Sequence, residues 1–291
     1  MSDYILQFLI SGITVGSIYA LVGLGFTIIY NASDVVNFAQ GEFVMIGAMS
    51  AVSFSIAGIP LIIAIIMAMM VTVLVGFALN QFAIKPAKGA SVVTTIIITI
   101  GASIFLRGAA LLIWGKDFYS LPAFSGEQPI HIAGATILPQ NLWVMGVSVL
   151  LVSAVLWFFK YTLLGKAILA CSCNRTAAQM VGINVGKMML LSYGLSAMLG
   201  ALAGVLIVPI TFSSYDAGIM LGLKGFSAAI LGGIGNPIGA IVGGLLLGVL
   251  ESLGAGFISS GYKDAIAFAI ILFVLFVRPS GLLGHEHQER V

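Results

Sequence analysis

Four polar side chains, Asp34, Asn37, Gln40 and Glu42, interrupt two long apolar runs near the start of this sequence. Such side chains are strongly hydrated, and in apolar surroundings each unpaired one is costly. At membrane depth they are tolerated only where protein covers them or where they line a watery cavity. Asn37, Gln40, Gly41 and Glu42 are therefore candidates for a solute pathway; a plain cytoplasmic turn is the bland reading of the same residues. A second interruption, Gly232-Gly233-Ile234-Gly235-Asn236-Pro237, cannot stay helical. It adds Gly232, Gly233, Gly235 and Asn236 to the pathway candidates. Glu251 is an acid inside an apolar run, which marks it as a functional candidate. Arg107, near the far end of its run, reads as an interface anchor more readily than as a pore-lining group.

Other chemistry is missing. The sequence has no G-x-x-x-x-G-K-[ST], no H-E-x-x-H and no nucleophile elbow, so neither nucleotide hydrolysis by that route nor hydrolytic catalysis is expected. Cys171 and Cys173, the two cysteines, form a C-x-C pair without a nearby histidine, a poor metal site. His131 is a lone surface histidine, and His285 and His287 lie in a charged tail. No catalytic residue, metal or bound cofactor is expected, and the chain is not read as an enzyme. Few intramembrane acids argue against a self-powered ion-driven pump.

The elements that must position these residues are membrane helices. Of 291 residues, 60% are apolar and 8% charged, and Leu61 to Leu79 carries no charge, enough to cross about 30 Å of hydrocarbon. Alternation with a period of two, which a β-barrel needs, is absent. The fold class is all-α and polytopic, with about eight or nine transmembrane or re-entrant helices and broken glycine-rich segments. It is read as a single transmembrane domain over 1–291. Gly12, Gly16 and Ala20 form one row of small residues; Gly235, Gly239, Gly243 and Ala240, Gly244, Gly248 form two more. Such rows let helix backbones approach closely. Pro209 should kink the segment that begins near Met188. Residues of about 116–140 form the outer loop, and Ile130 to Leu138 suits a small hairpin. A faint echo links Tyr30–Gly47 with Leu231–Gly248, each an apolar run, a polar or glycine-rich break and a second run. Broken repeats of this kind occur at transporter pathways.

Orientation follows from charge. Lys85, Lys88, Lys160, Lys166, Arg175, Lys187, Arg278 and Arg290 fall on one side, and only Lys116 and Lys263 fall clearly on the other. The basic side is cytoplasmic, which places the N-terminus outside and the C-terminus inside. The loop of about 160–187 is basic and contains no acid. Within it, Ala177-Ala178 followed by Gly182 suits a short helix that a partner can pack against. No basic stripe with interleaved aromatics indicates nucleic acid.

Several stretches together resemble the LivH-type permease subunits of bacterial ABC importers for branched-chain amino acids. They are Gly23-Leu-Gly-Phe-Thr-Ile-Ile-Tyr30, Val36-Asn-Phe-Ala-Gln-Gly-Glu-Phe43, Gly165-Lys-Ala with Asn174-Arg175 through Gly182-Ile183, Ala229-Ile-Leu-Gly-Gly-Ile-Gly-Asn-Pro237, and Arg278-Pro-Ser-Gly-Leu-Leu-Gly284. The resemblance implies a permease in the bacterial inner membrane moving Leu, Ile or Val, paired with a LivM-like permease in contact with membrane lipid. Two ATPase subunits would hold ATP and Mg, and a periplasmic binding protein would deliver substrate. It also implies that Asn174, Arg175, Ala177, Ala178 and Gly182 form the coupling helix. Thr176 stands where the E-A-A-x-x-x-G loop of importer permeases has glutamate. The competing reading is a stand-alone channel or secondary carrier for a small solute such as urea or an amide.

Overall fold

The computed structural model describes residues 2–87, 89–126, 128–132 and 135–284, so Lys88, Glu127, His285, His287 and Arg290 lie outside the described residues. Eleven α-helices follow one another: α1 Ser2–Ser33, α2 Gln40–Ile56, α3 Leu61–Ala78, α4 Val92–Trp114, α5 Pro139–Tyr161, α6 Leu163–Cys173, α7 Arg175–Met180, α8 Val185–Ile207, α9 Ala217–Gly232, α10 Pro237–Phe257 and α11 Lys263–Val277. Leu79–Ile84 extends α3 as a wider π-helical segment. Among the described residues, seven helical stretches are long and apolar enough to cross a membrane, the last being α11 extended by the turn Ser260–Tyr262. With the shorter α2 and α9 there are nine segments, in line with the sequence reading. Strands β1 Ile130–Ile132 and β2 Ala135–Ile137 form the expected hairpin. Gln7 exchanges two hydrogen bonds with Thr136 there, tying the start of α1 to the outer loop.

The small-residue rows find each other. A methyl added at Gly12 would lie 2.7 Å from the Val249 Cα, and one at Gly16 would lie 2.9 Å from the Gly244 carbonyl oxygen. The α1 row thus packs on the Gly244–Gly248 row of α10. The adjacent α10 row meets α9, with Gly239 against Gly232 and Gly243 against the Ala228 carbonyl. On the other side of the bundle, Gly200 and Gly204 of α8 receive Phe43 and Val44 of α2. Without a solvent-driven attraction between helices in lipid, close backbone contact is the main source of packing energy. One expectation fails: α8 ends at Ile207, so Pro209 follows the helix instead of kinking it. The ring has no amide hydrogen to continue the ladder and the chain turns there.

Glu251 also proves to be a packing residue. It is fully buried; its Oε1 accepts from Lys224 Nζ at 2.9 Å and from the Tyr19 hydroxyl at 3.1 Å and pairs with Lys263 Nζ at 2.9 Å, while its Oε2 has no partner. Asp264 Oδ1 lies 2.6 Å from Lys224 Nζ. This cluster joins α1, α9, α10 and α11. Lys263 was assigned to the outer side by charge counting, and it remains half-exposed at that end.

Two measurements test this account. Gly16→Leu should cost about 1–3 kcal/mol through overpacking and lower the midpoint of heat-induced aggregation in detergent. Gly101→Leu, on a face of α4 with nothing within 4 Å, should leave that midpoint unchanged. Glu251→Leu removes the buried partner of Lys224, leaving it Asp264 alone, and should lose about 3 kcal/mol. The double variant Glu251→Leu/Lys224→Met should recover part of that loss in the same assay.

Candidate functional site

The polar break after α1 is not a surface turn. Asp34 adopts a left-handed conformation, φ 53°, and its amide donates to the Tyr30 carbonyl at 2.7 Å. That conformation ends α1 and sends the chain back along it. By Gln40 the chain lies beside Gly25, eight residues, or about 12 Å at 1.5 Å per residue, inside the end of α1. The Gln40 Nε2 donates to the Ser196 carbonyl at 3.2 Å. The Ser196 hydroxyl has the Gln40 Oε1 at 2.5 Å and the Gly25 carbonyl at 2.8 Å, and donates to one at a time. Asn37 is fully buried; its Oδ1 accepts from the Ala39 amide at 3.2 Å, and its Nδ2 has no protein partner.

The start of α2 faces the start of α9. Gly41 packs directly on Gly218 and Gly222, the buried face of the first two turns of α9, while Asp216, Ile219 and Met220 stay exposed. Beside this contact is a half-open cavity of about 210 Å³. Its polar side chains are Glu42, Ser103 and Arg107, and its walls include Phe26, Phe38, Ile104 and Phe226. Glu42 is 1% exposed; its Oε1 accepts from the Ser103 hydroxyl at 2.8 Å, and its Oε2 has no partner. Ile100, Ser103, Ile104 and Arg107 recur at helical spacing and share one face of α4. Arg107, expected to anchor at the interface, therefore lines the same cavity as Glu42. The sequence carried two signals for this: an arginine inside an apolar span, and the Gly218-x-x-x-Gly222 spacing.

The second set of pathway candidates lies elsewhere. Gly232 closes α9 and Gly233 follows it at φ 105°, a conformation suited to glycine. Asn236 caps α10, its Oδ1 accepting from the Ile238 amide at 3.0 Å and the Gly239 amide at 3.2 Å, while its Nδ2 donates to the Leu283 carbonyl at 2.8 Å. The Leu282 and Leu283 amides donate to the Leu231 and Gly232 carbonyls at 2.8 and 2.9 Å. Gly235 sits against Tyr30 and Asn31. The break is thus held by the end of α1 and by residues 281–284, and none of Gly232, Gly233, Gly235 or Asn236 lines the cavity.

The basic loop folds as α6 and α7. Asn174 caps α7, accepting from the Ala177 amide at 2.9 Å. Gly182, at φ 87°, ends it, and the Ile183 amide donates to the Ala178 carbonyl at 2.9 Å. Ala178 is buried, whereas Ala177, Met180 and Val181 are exposed. Arg175 turns inward: its Nη2 donates to the Ala32 carbonyl at 3.1 Å and pairs with Asp34 Oδ2 at 3.1 Å. A cation there also complements the partial negative charge at the end of α1. Cys171 is buried and Cys173 exposed. Burial raises the Cys171 thiol pKa, with Arg175 pulling it back in part, so Cys171 is the less reactive of the two.

Comparison with known proteins matches these features to a family. The family described as "Branched-chain amino acid transport system / permease component" matches residues 8–275. The high-affinity branched-chain amino acid transport system permease protein LivH of Salmonella typhimurium is 34% identical, the match covering 99% of this chain and 98% of the relative. The corresponding protein BraD of Pseudomonas aeruginosa is 33% identical, with 98% of each chain covered. Among solved structures, PsaBC from Streptococcus pneumoniae in complex with Fab shares the fold, with a TM-score of 0.51 at 17% identity, 95% of this chain and 92% of that one being covered. A nine-segment helical bundle matched over nearly all its length in this way belongs to the family of branched-chain amino acid transport permease components, and is a transport subunit of a multi-pass membrane protein family.

Proposed function

We propose that this chain is one of two permeases in an ATP-driven importer of branched-chain amino acids in the bacterial inner membrane. The second permease is LivM-like, two ATPase subunits supply the energy through ATP and Mg, and a periplasmic binding protein delivers substrate. What carries this reading is the link between an exposed docking helix and the buried start of α2. Met180 and Val181 are apolar and exposed on the basic, cytoplasmic end, as expected of a surface covered by a partner. Arg175, on the same helix, grips Ala32 and Asp34, and six residues beyond Asp34 the chain enters α2 at Gln40. The names of the relatives support the substrate class; the stand-alone channel or carrier draws no support from them.

Closure of the ATPases displaces α7, and Arg175 carries that displacement to the end of α1 and the segment leading into α2. Gly41 then slides against Gly218 and Gly222, a contact without side chains that can be remade after a small shift. Asn37, Gln40, Gly41 and Glu42 sit on the moving side of the pathway. Gly232, Gly233, Gly235 and Asn236 act at its inner end, where the break lets α9 and α10 adjust separately.

Reconstitution in proteoliposomes with the partner subunits tests the proposal. Wild-type vesicles should take up leucine only with the ATPases, ATP and the binding protein present. Met180→Asp/Val181→Asp should lose the co-purifying ATPase. Arg175→Ala should retain the ATPase and lower uptake about tenfold, the loss of one charge-assisted contact. Uptake that proceeds without the ATPases and follows membrane potential would overturn the importer reading.

A further inference from the structure

The cavity beside the start of α2 contains one acid, one base and one hydroxyl in an otherwise apolar wall. Its volume equals that of about seven waters at roughly 30 Å³ each, the size class of a small amino acid. Glu42 is buried, and its Oε2 has no donor. A buried carboxylate oxygen left in that state is expensive, and a ligand ammonium group would remove the cost. Arg107 lines the same cavity, yet no ion pair joins it to Glu42 among the described residues. The two charges therefore remain available to a third party.

We propose that this cavity is a zwitterion-binding subsite within the membrane. Glu42, held by Ser103, receives the ammonium group of an α-amino acid, Arg107 receives its carboxylate, and Phe26, Phe38, Ile104 and Phe226 surround an aliphatic side chain. Gly218 and Gly222 let Gly41 and Glu42 pack close against α9 at the edge of this cavity. The chemistry selects against the other solutes considered above. Urea or an amide could hydrogen-bond to both side chains but would bring no countercharge to either, and charge-assisted hydrogen bonds are the stronger ones. The assignment rests on the importer reading and deepens it by adding selection at the permease to selection at the binding protein.

The test uses the purified permease–ATPase complex without binding protein and measures binding of radiolabelled leucine. Two competitors dissect the ligand: 4-methylpentanoate, which lacks the ammonium group, and 3-methylbutylamine, which lacks the carboxylate. Glu42→Gln should weaken leucine about tenfold and leave 4-methylpentanoate unchanged. Arg107→Gln should weaken leucine similarly and leave 3-methylbutylamine unchanged. Equal losses for leucine and the truncated competitor in both variants would indicate a structural role and overturn the subsite. So would wild-type binding and uptake of leucine in both variants, with the importer reading left standing. Wild-type vesicles that take up another solute and neither bind nor transport leucine would overturn the substrate assignment and the subsite together.

Discussion

Helix starts are polar, and a membrane interior offers no water to satisfy them. One helix in this bundle, α2, nevertheless begins buried, its start lying against the glycine face of α9. Gly41 of α2 can lie on Gly218 and Gly222 of α9 only because none of the three carries a side chain. Much else follows from that contact. α1 has to be long enough for the chain to double back along it, Asp34 has to adopt a rare conformation to start the return, and α2 and α9 have to be short. The space left where the two starts meet is the cavity that holds Glu42.

Charges in the bundle fall into three groups with different tasks. At the basic end, Arg175 and Asp34 form a half-exposed pair, whose worth in water-facing surroundings is modest and which is therefore suited to being remade. Toward the outer end, Lys224, Glu251, Lys263 and Asp264 neutralise one another around Tyr19. That group locks four helices together through Glu251 Oε1, while Glu251 Oε2 stays buried without a partner. Between them, Glu42 and Arg107 share a cavity without pairing. Burial alone does not separate the locking group from the open one; the number of partners each charge already has does.

Much of the architecture was legible because membrane helices advertise themselves. Uninterrupted apolar runs gave the long spans, Gly233 and Pro237 marked the break, and the rows through Gly12 and Gly244 announced a close contact before their partners were known. Depth was not legible. Nothing between Asn31 and Glu42 reveals that the chain re-enters the bundle, because that depends on the length of α1 and on Asp34. Pairings across the chain were also hidden: Lys224 is the only charge between Asp216 and Glu251, which called for an acid nearby, yet the sequence does not state that α9 and α10 bring the two together. The place of Arg107 in the cavity was hidden for the same reason, since it depends on which face of α4 meets α2.

The strap formed by residues 281–284 has a consequence for the order of events in making the protein. The carbonyls of Leu231 and Gly232 are among the last in α9 and depend on the amides of Leu282 and Leu283, some fifty residues later. A ribosome delivers α9 and α10 to the membrane well before it has made those amides. Until then, the last turn of α9 has to be satisfied by other groups, and the facing ends of α9 and α10 stay unlatched. The bundle is therefore completed by residues 281–284, and a nascent chain halted after α11 would hold the segments described without the clasp between them.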